Sequence, residues 1–128
     1  MRTNKLLFGA LATVALVLSS CSAASVVSGN YNGNYSSYTS SGSASAAATI
    51  VNDNTAAIKV TADGIEYNFG AVSVTKTEIY GVVLINGNMS NSDMSMTLDV
   101  TQVNGIKSLS LNMDSTASSG YLYFDSTP

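Results

Sequence analysis

The chain has 128 residues, five basic and eight acidic side chains, a formal net charge of −3, one Cys, no His and no Trp. That is the size of one small domain, and the sparse, mainly acidic charge leaves no electrostatic footprint for nucleic acid. With no His and a single thiol, the Ser-His-Asp and Cys-His arrangements and the Cys/His ligands of a zinc site are missing, so no enzyme chemistry, cofactor or metal is expected.

Arg2 and Lys5 precede an apolar run from Leu6 to Val17. The run is too short to span a bilayer. Charge, apolar run and small residues in this order read as a secretory signal peptide over residues 1–20. Its end, Leu18-Ser19-Ser20-Cys21, resembles the lipobox of bacterial lipoproteins. The resemblance implies that Cys21 is acylated, becomes the first mature residue and ties the chain to a membrane. Ser22, where sorting to the inner membrane would place Asp, is similar to the outer-membrane form, and the lack of an acidic cluster after Cys21 points to the periplasmic face. Lys59, Lys76 and Lys107 then remain against the eight acids. A Cys committed to lipid leaves no intramolecular disulfide, so stability comes from packing and strand pairing.

Residues 21–29 are small and polar and are expected to form a flexible tether to a single domain over 30–128. The Gly/Asn/Ser/Tyr tract that follows holds a first strand around Asn30 to Thr39, and its composition is also that of adaptable binding loops. Ala46 to Val51 is a modest strand and Asp53-Asn54 a turn. Thr55 to Ala62 alternates with a period of two, and Asp63-Gly64 is a hairpin signal. Ile65, Tyr67 and Phe69 share a face, but Val72 and Val74 are out of phase with them, so a bulge is expected at Gly70-Ala71.

Lys76-Thr77 reads as a turn. Ile79 to Ile85 reads as a strand apolar on both faces, either central or covered outside. Asn86-Gly87 reads as a type I′ hairpin whose loop can extend through Asn91. Met94, Met96, Leu98 and Val100 alternate with polar residues, Asn104-Gly105 is a turn, and Leu109, Leu111 and Met113 form the next strand. Ser115 to Ser119 is a loop, and Tyr121 to Phe124 a short last strand.

Strands 8–12 residues apart, with no room for parallel crossovers, predict an all-β chain. The expected form is an antiparallel up-and-down meander closing into a small barrel of about eight strands, with a β-sandwich as the alternative. Gly29-Asn30-Tyr31, Gly33-Asn34-Tyr35 and the meander after them resemble small calycin-like, lipocalin-like bacterial lipoproteins, although Tyr stands where lipocalins usually carry Trp. That resemblance implies a small apolar or amphipathic ligand at the barrel mouth, with Tyr31, Tyr35, Tyr80, Tyr121, Met94 and Met96 as candidate contacts.

The alternative is a solid barrel acting by contact with an envelope protein or glycan, an inhibitor-type role included, with Tyr80, Val82 and Leu84 in the interface. Asn52-Asp53-Asn54 and Asn91-Ser92-Asp93 offer oxygen ligands for calcium but lack the spacing of an EF-hand, so turn chemistry accounts for them. Asp114-Ser115-Thr116 and Asp125-Ser126-Thr127 resemble a bacterial O-glycosylation acceptor.

Overall fold

The computed structural model describes residues 21–115 and 120–126. The leader, its lipobox before Cys21 and the loop expected beyond Ser115 lie outside the described residues. Eight strands run β1 (Gly29–Ser37), β2 (Ser41–Asn52), β3 (Thr55–Ala62), β4 (Ile65–Ile79), β5 (Val82–Ser90), β6 (Met94–Val103), β7 (Ile106–Ser115) and β8 (Tyr121–Ser126). Each pairs antiparallel with the next, and β8 pairs with β1, so the meander closes into a barrel. The expected fold class is correct.

Alternation decides what faces inward. Ala56, Ile58, Val60 and Ala62 of β3, Met96, Leu98 and Val100 of β6, and Leu109, Leu111 and Met113 of β7 are all buried, with polar residues between them. Leu122 and Phe124 complete the interior from β8. The phase slip in β4 is real. Ile58 pairs with Gly70 and Lys59 with Asn68, which leaves Phe69 as the extra residue of a bulge, and Gly70 takes a φ of 65°. The bulge lies one residue earlier than expected. It lets Phe69, Val72 and Val74 all face inward.

Three expectations fail in the middle of the chain. Lys76-Thr77 is no turn, because β4 continues to Ile79. The turn is Tyr80-Gly81, with φ of 50° and 79°. Asn86-Gly87 is no turn either, because both residues lie inside β5 and pair with β4 and β6. Gly87 faces inward, and a Cβ there would sit 3.0 Å from Val74 Cγ1 and 3.2 Å from the Ser73 carbonyl oxygen. This glycine allows two strands to approach closely; it does not reverse the chain. The double-sided strand from Ile79 is thus a strand end, a turn and the start of β5, and the real loop is at Asn91 to Asp93, where Asn91 Oδ1 accepts from the amides of Asp93 and Met94.

Residues expected to be a shapeless tether are ordered over Ala23–Val27 as a short helix, α1. Ser22 caps it by accepting from the Ser25 amide at 3.1 Å. Ala23, Ala24, Val26 and Val27 are buried. Small aliphatic residues at successive positions can be buried all round a single helical turn, so the absence of an amphipathic period hid this element.

Two substitutions test this architecture. A Cβ at Gly33 would fall 2.1 Å from the Asp125 carbonyl oxygen, where β1 meets β8. Gly33→Ala should therefore cost about 1–3 kcal/mol in urea unfolding, whereas at Gly42 the added Cβ meets only Tyr35 Cε1, at an ordinary 3.5 Å. Gly42→Ala should stay within about 0.5 kcal/mol of the parent. At the β4–β5 turn a bulky Tyr80 holds a left-handed conformation that Asn tolerates better, so Tyr80→Asn should raise stability by about 1 kcal/mol in the same measurement.

Candidate functional site

The barrel has two unlike ends. The lower end is where β1 starts and where the turns at Asp53-Asn54, Tyr80-Gly81 and Asn104-Gly105 lie; the upper end carries the turns at Asp63-Gly64 and Asn91 to Asp93. Helix α1 seals the lower end. Its backbone is held by side chains and a turn of the barrel. The Ala24 amide donates to the Asp53 carbonyl at 3.1 Å, and the Lys76 ammonium donates to the Cys21 carbonyl. Lys107 Nζ donates to the carbonyls of Val26 and Ser28 at 3.1 and 2.7 Å. Those carbonyls belong to the last turn of α1 and its cap, groups a short helix leaves unpaired, so a lysine at the lower start of β7 satisfies them.

Tyr31 completes this latch. Its hydroxyl donates to the Val27 carbonyl at 2.6 Å, and the Lys107 ammonium lies 5.7 Å from its ring centroid, within cation–π range. Burial pushes the Tyr31 phenol up to about 12 and the Lys107 ammonium down. Both shifts have the same cause, loss of water around the charged form.

The six residues read as ligand contacts do not form one pocket. Tyr31 belongs to the lower latch. Tyr80 is the fully exposed tip of a lower turn, at 101%. Tyr35 points inward near the upper end and shares a hydrogen bond with Ser40 Oγ at 3.0 Å. Tyr121 starts β8 at the upper end, edge-to-face with Tyr38 at a centroid distance of 4.3 Å. Met94 is half-buried at the upper start of β6, and Met96, one layer below, is buried.

Among the described residues, the interior between these side chains is closely packed. Ile58, Val60, Leu98, Leu111 and Phe124 are exposed by at most 1%. Side chains lining a void roomy enough for a ligand would present surface to it. The interior is filled by side chains, one of the two outcomes open to an eight-stranded barrel.

The described cavities lie outside the barrel. One of about 360 Å³ runs along the outer wall of β1 to β3, between Asn30, Asn32, Ser45, Ala47, Lys59 and Thr61. It exists because β2 carries only Ser, Gly and Ala from Ser41 to Ala48, so the wall is thin there. Lys59 at its edge pairs with Glu66 at 3.6 Å across two half-exposed side chains, a contact of little energetic weight. A second cavity, of about 630 Å³, opens at the lower end between Ser22, Asn54, Ser73 and Lys76. Neither was visible in the sequence; the Ser/Ala run of β2 was the only hint.

Both oxygen-rich motifs are turns. Asn52 Oδ1 accepts from the Asn54 amide at 2.9 Å, and Asn91 acts likewise. Among the described residues no group of three or more His, Cys, Asp or Glu could hold a metal ion. Ser126 is buried and its Oγ accepts from the Leu109 amide at 2.7 Å, which leaves that hydroxyl closed to a modifying enzyme.

Replacing Tyr31 by Phe removes the bond to Val27 and leaves that carbonyl unsatisfied, at a cost of about 1–2 kcal/mol. The pH dependence follows from the raised phenol. The folded chain holds the proton between pH 10 and about 12 while the unfolded chain releases it. The Tyr31 contribution is complete below that window and lost through it. The Tyr31→Phe protein should therefore lose less stability than the parent across this range when urea midpoints are compared.

No protein-family model, no curated protein and no solved structure matches this chain.

Proposed function

We propose that the mature chain is a lipid-anchored module of the cell envelope that works by surface contact with an envelope protein or glycan, with no small molecule carried inside the barrel. The observation that carries this reading is the filled interior: the side chains a carrier would use to line its cavity are packed against one another. The lipobox resemblance at Leu18 to Cys21 supports the anchoring, with acylation at Cys21 and the outer membrane, periplasmic face, as destination.

The outer face favours a surface role in water over a barrel threaded through lipid. Its middle rows carry Asn86, Asp99, Ser110 and Asp125, where a membrane-spanning barrel needs an apolar band. Asn86 Nδ2 donates to Asp99 Oδ1 at 2.5 Å and Ser110 Oγ to Asp125 Oδ1 at 3.0 Å. The groove on β1 to β3 supplies a concave, amide- and hydroxyl-lined patch of a size that can seat part of a partner.

Native mass spectrometry of the mature chain purified from its own host envelope tests the reading. The expected spectrum shows acylated chain without a stoichiometric small molecule, and a co-purifying protein or glycan lost in variants of the groove such as Asn32→Trp. A retained small molecule at one per chain would overturn it in favour of a carrier.

A further inference from the structure

The exposed large hydrophobic side chains are not scattered. Tyr38 and Ile65 are at the upper end, while Ile50, Val51, Ile79, Tyr80, Val103 and Ile106 all lie at the lower one. Ile79 pairs with Val82, Val83 with Gln102, and Val103 with Ile106, which places Ile79, Val82, Val103 and Ile106 in one outward row across β4 to β7. Tyr80 extends this row at the tip of its turn. Isolated surface aliphatics need no explanation, but a continuous row does. A left-handed turn position favours Asn, Asp or Gly, and here it holds a fully exposed aromatic. An outlier of that kind at a surface tip points to a role outside folding.

Cys21 is at the same end and on the same side. Its carbonyl accepts from Lys76 of β4, and it lines a small cleft with Gln102 of β6 and Lys107 of β7. The Tyr80-Gly81 and Asn104-Gly105 turns follow β4 and β6. Residues 1–20 join the described chain at this point, and an acyl group on Cys21 would leave from it. Because α1 is latched to the barrel, acyl chains on Cys21 have almost no tether in which to wander.

We infer that the lower rim, Ile79, Tyr80, Val82, Val103 and Ile106, is seated in the surface of the lipid bilayer that holds Cys21. This rests on the lipid-anchoring reading and extends it, because anchoring alone would let the barrel swing free. The seating is shallow. Two residues climb about 6.6 Å along a strand. The row two residues up holds Thr77, Leu84, Thr101 and Ser108, and the next holds Thr75, Asn86, Asp99 and Ser110. The first charge in these outward rows, Asp99, thus lies about 13 Å along the strand from the rim, whereas interfacial apolar side chains sink 5–10 Å. Two lysines, Lys76 and Lys107, and two acids, Asp53 and Glu78, lie at this end, so it carries no net charge; the outward row itself is apolar, and its Tyr sits where aromatic rings favour the headgroup level. The outer-wall groove then faces sideways and the acidic upper turns face away from the membrane.

The test uses the mature lipoprotein in vesicles of phosphatidylethanolamine and phosphatidylglycerol that contain a spin-labelled lipid. With Cys21 acylated, a single introduced thiol can carry an environment-sensitive fluorophore, at Ile106→Cys on the rim or Ile65→Cys at the opposite end. Val103→Cys repeats the rim reading should Ile106→Cys fail to give the strand signal in circular dichroism. The rim fluorophore should shift to the blue and be quenched at least about three-fold more than the one at position 65. Equal quenching at both ends, with acylation of Cys21 verified by mass, overturns the seating and leaves the anchor intact. A blue shift at the rim without lipid quenching also overturns it, in favour of a protein partner on the rim. An unmodified Cys21 in the processed chain removes the anchoring reading and the seating together.

Discussion

The structure depends on one pairing, that of β1 with β8. Every other strand contact joins neighbours in sequence. The closing pair has no turn to enforce it, and it brings residues such as Gly33 and Ser126 together from opposite ends of the chain. Backbone geometry makes this possible only where β1 carries no side chain, at Gly33, which lies against the Asp125 carbonyl. Once the pair forms, the sheet has no free edge and the inward rows of eight strands share one interior. The absence of disulfides and metal clusters among the described residues is then no handicap, because closure removes apolar surface from water all round the barrel.

Closure leaves two ends to be sealed, and the chain treats them differently. At the lower end α1 covers the core, with Ala24 and Val27 fully buried against it. Its unpaired carbonyls are taken up by Lys107 and its end is pinned by Tyr31. The arrangement places two lysine ammonium groups on main-chain carbonyls. That is a practical choice in a domain poor in charge, since an amine desolvated beside a carbonyl dipole loses less than a bare buried ion. The same latch fixes the position of Cys21 relative to the barrel.

Where side chains alternated, the sequence was a sufficient guide. The faces of β3, β6 and β7, the turns at Asp63-Gly64 and Asn104-Gly105, and the slip repaired near Gly70 could all be read from a period of two and from dipeptides that accept left-handed angles. The errors came from residues that serve packing while looking like punctuation. Asn86-Gly87 has the composition of a turn, but Gly87 is an inward position emptied to let Val74 approach and Asn86 is an outward position bonded to Asp99. Tyr80 looks like a strand residue and is a turn residue. One-turn α1 gives no period to detect. The six candidate ligand residues lie at both ends of the barrel for a related reason: a Tyr or Met in a strand is equally suited to fill a core or to line a pocket, and which it does depends on the summed volume of side chains from all eight strands, which no local pattern contains.

Hydrogen exchange of backbone amides tests the closed, filled barrel most directly. In a closed barrel the amides of β1 around Tyr35 and of β8 around Phe124 are as protected as those of β6 and β7 around Leu98 and Leu111, because none of these strands is an edge. Fast exchange confined to β1 and β8, at the rate of the loops, would mean an open sheet with two free edges and would contradict the account.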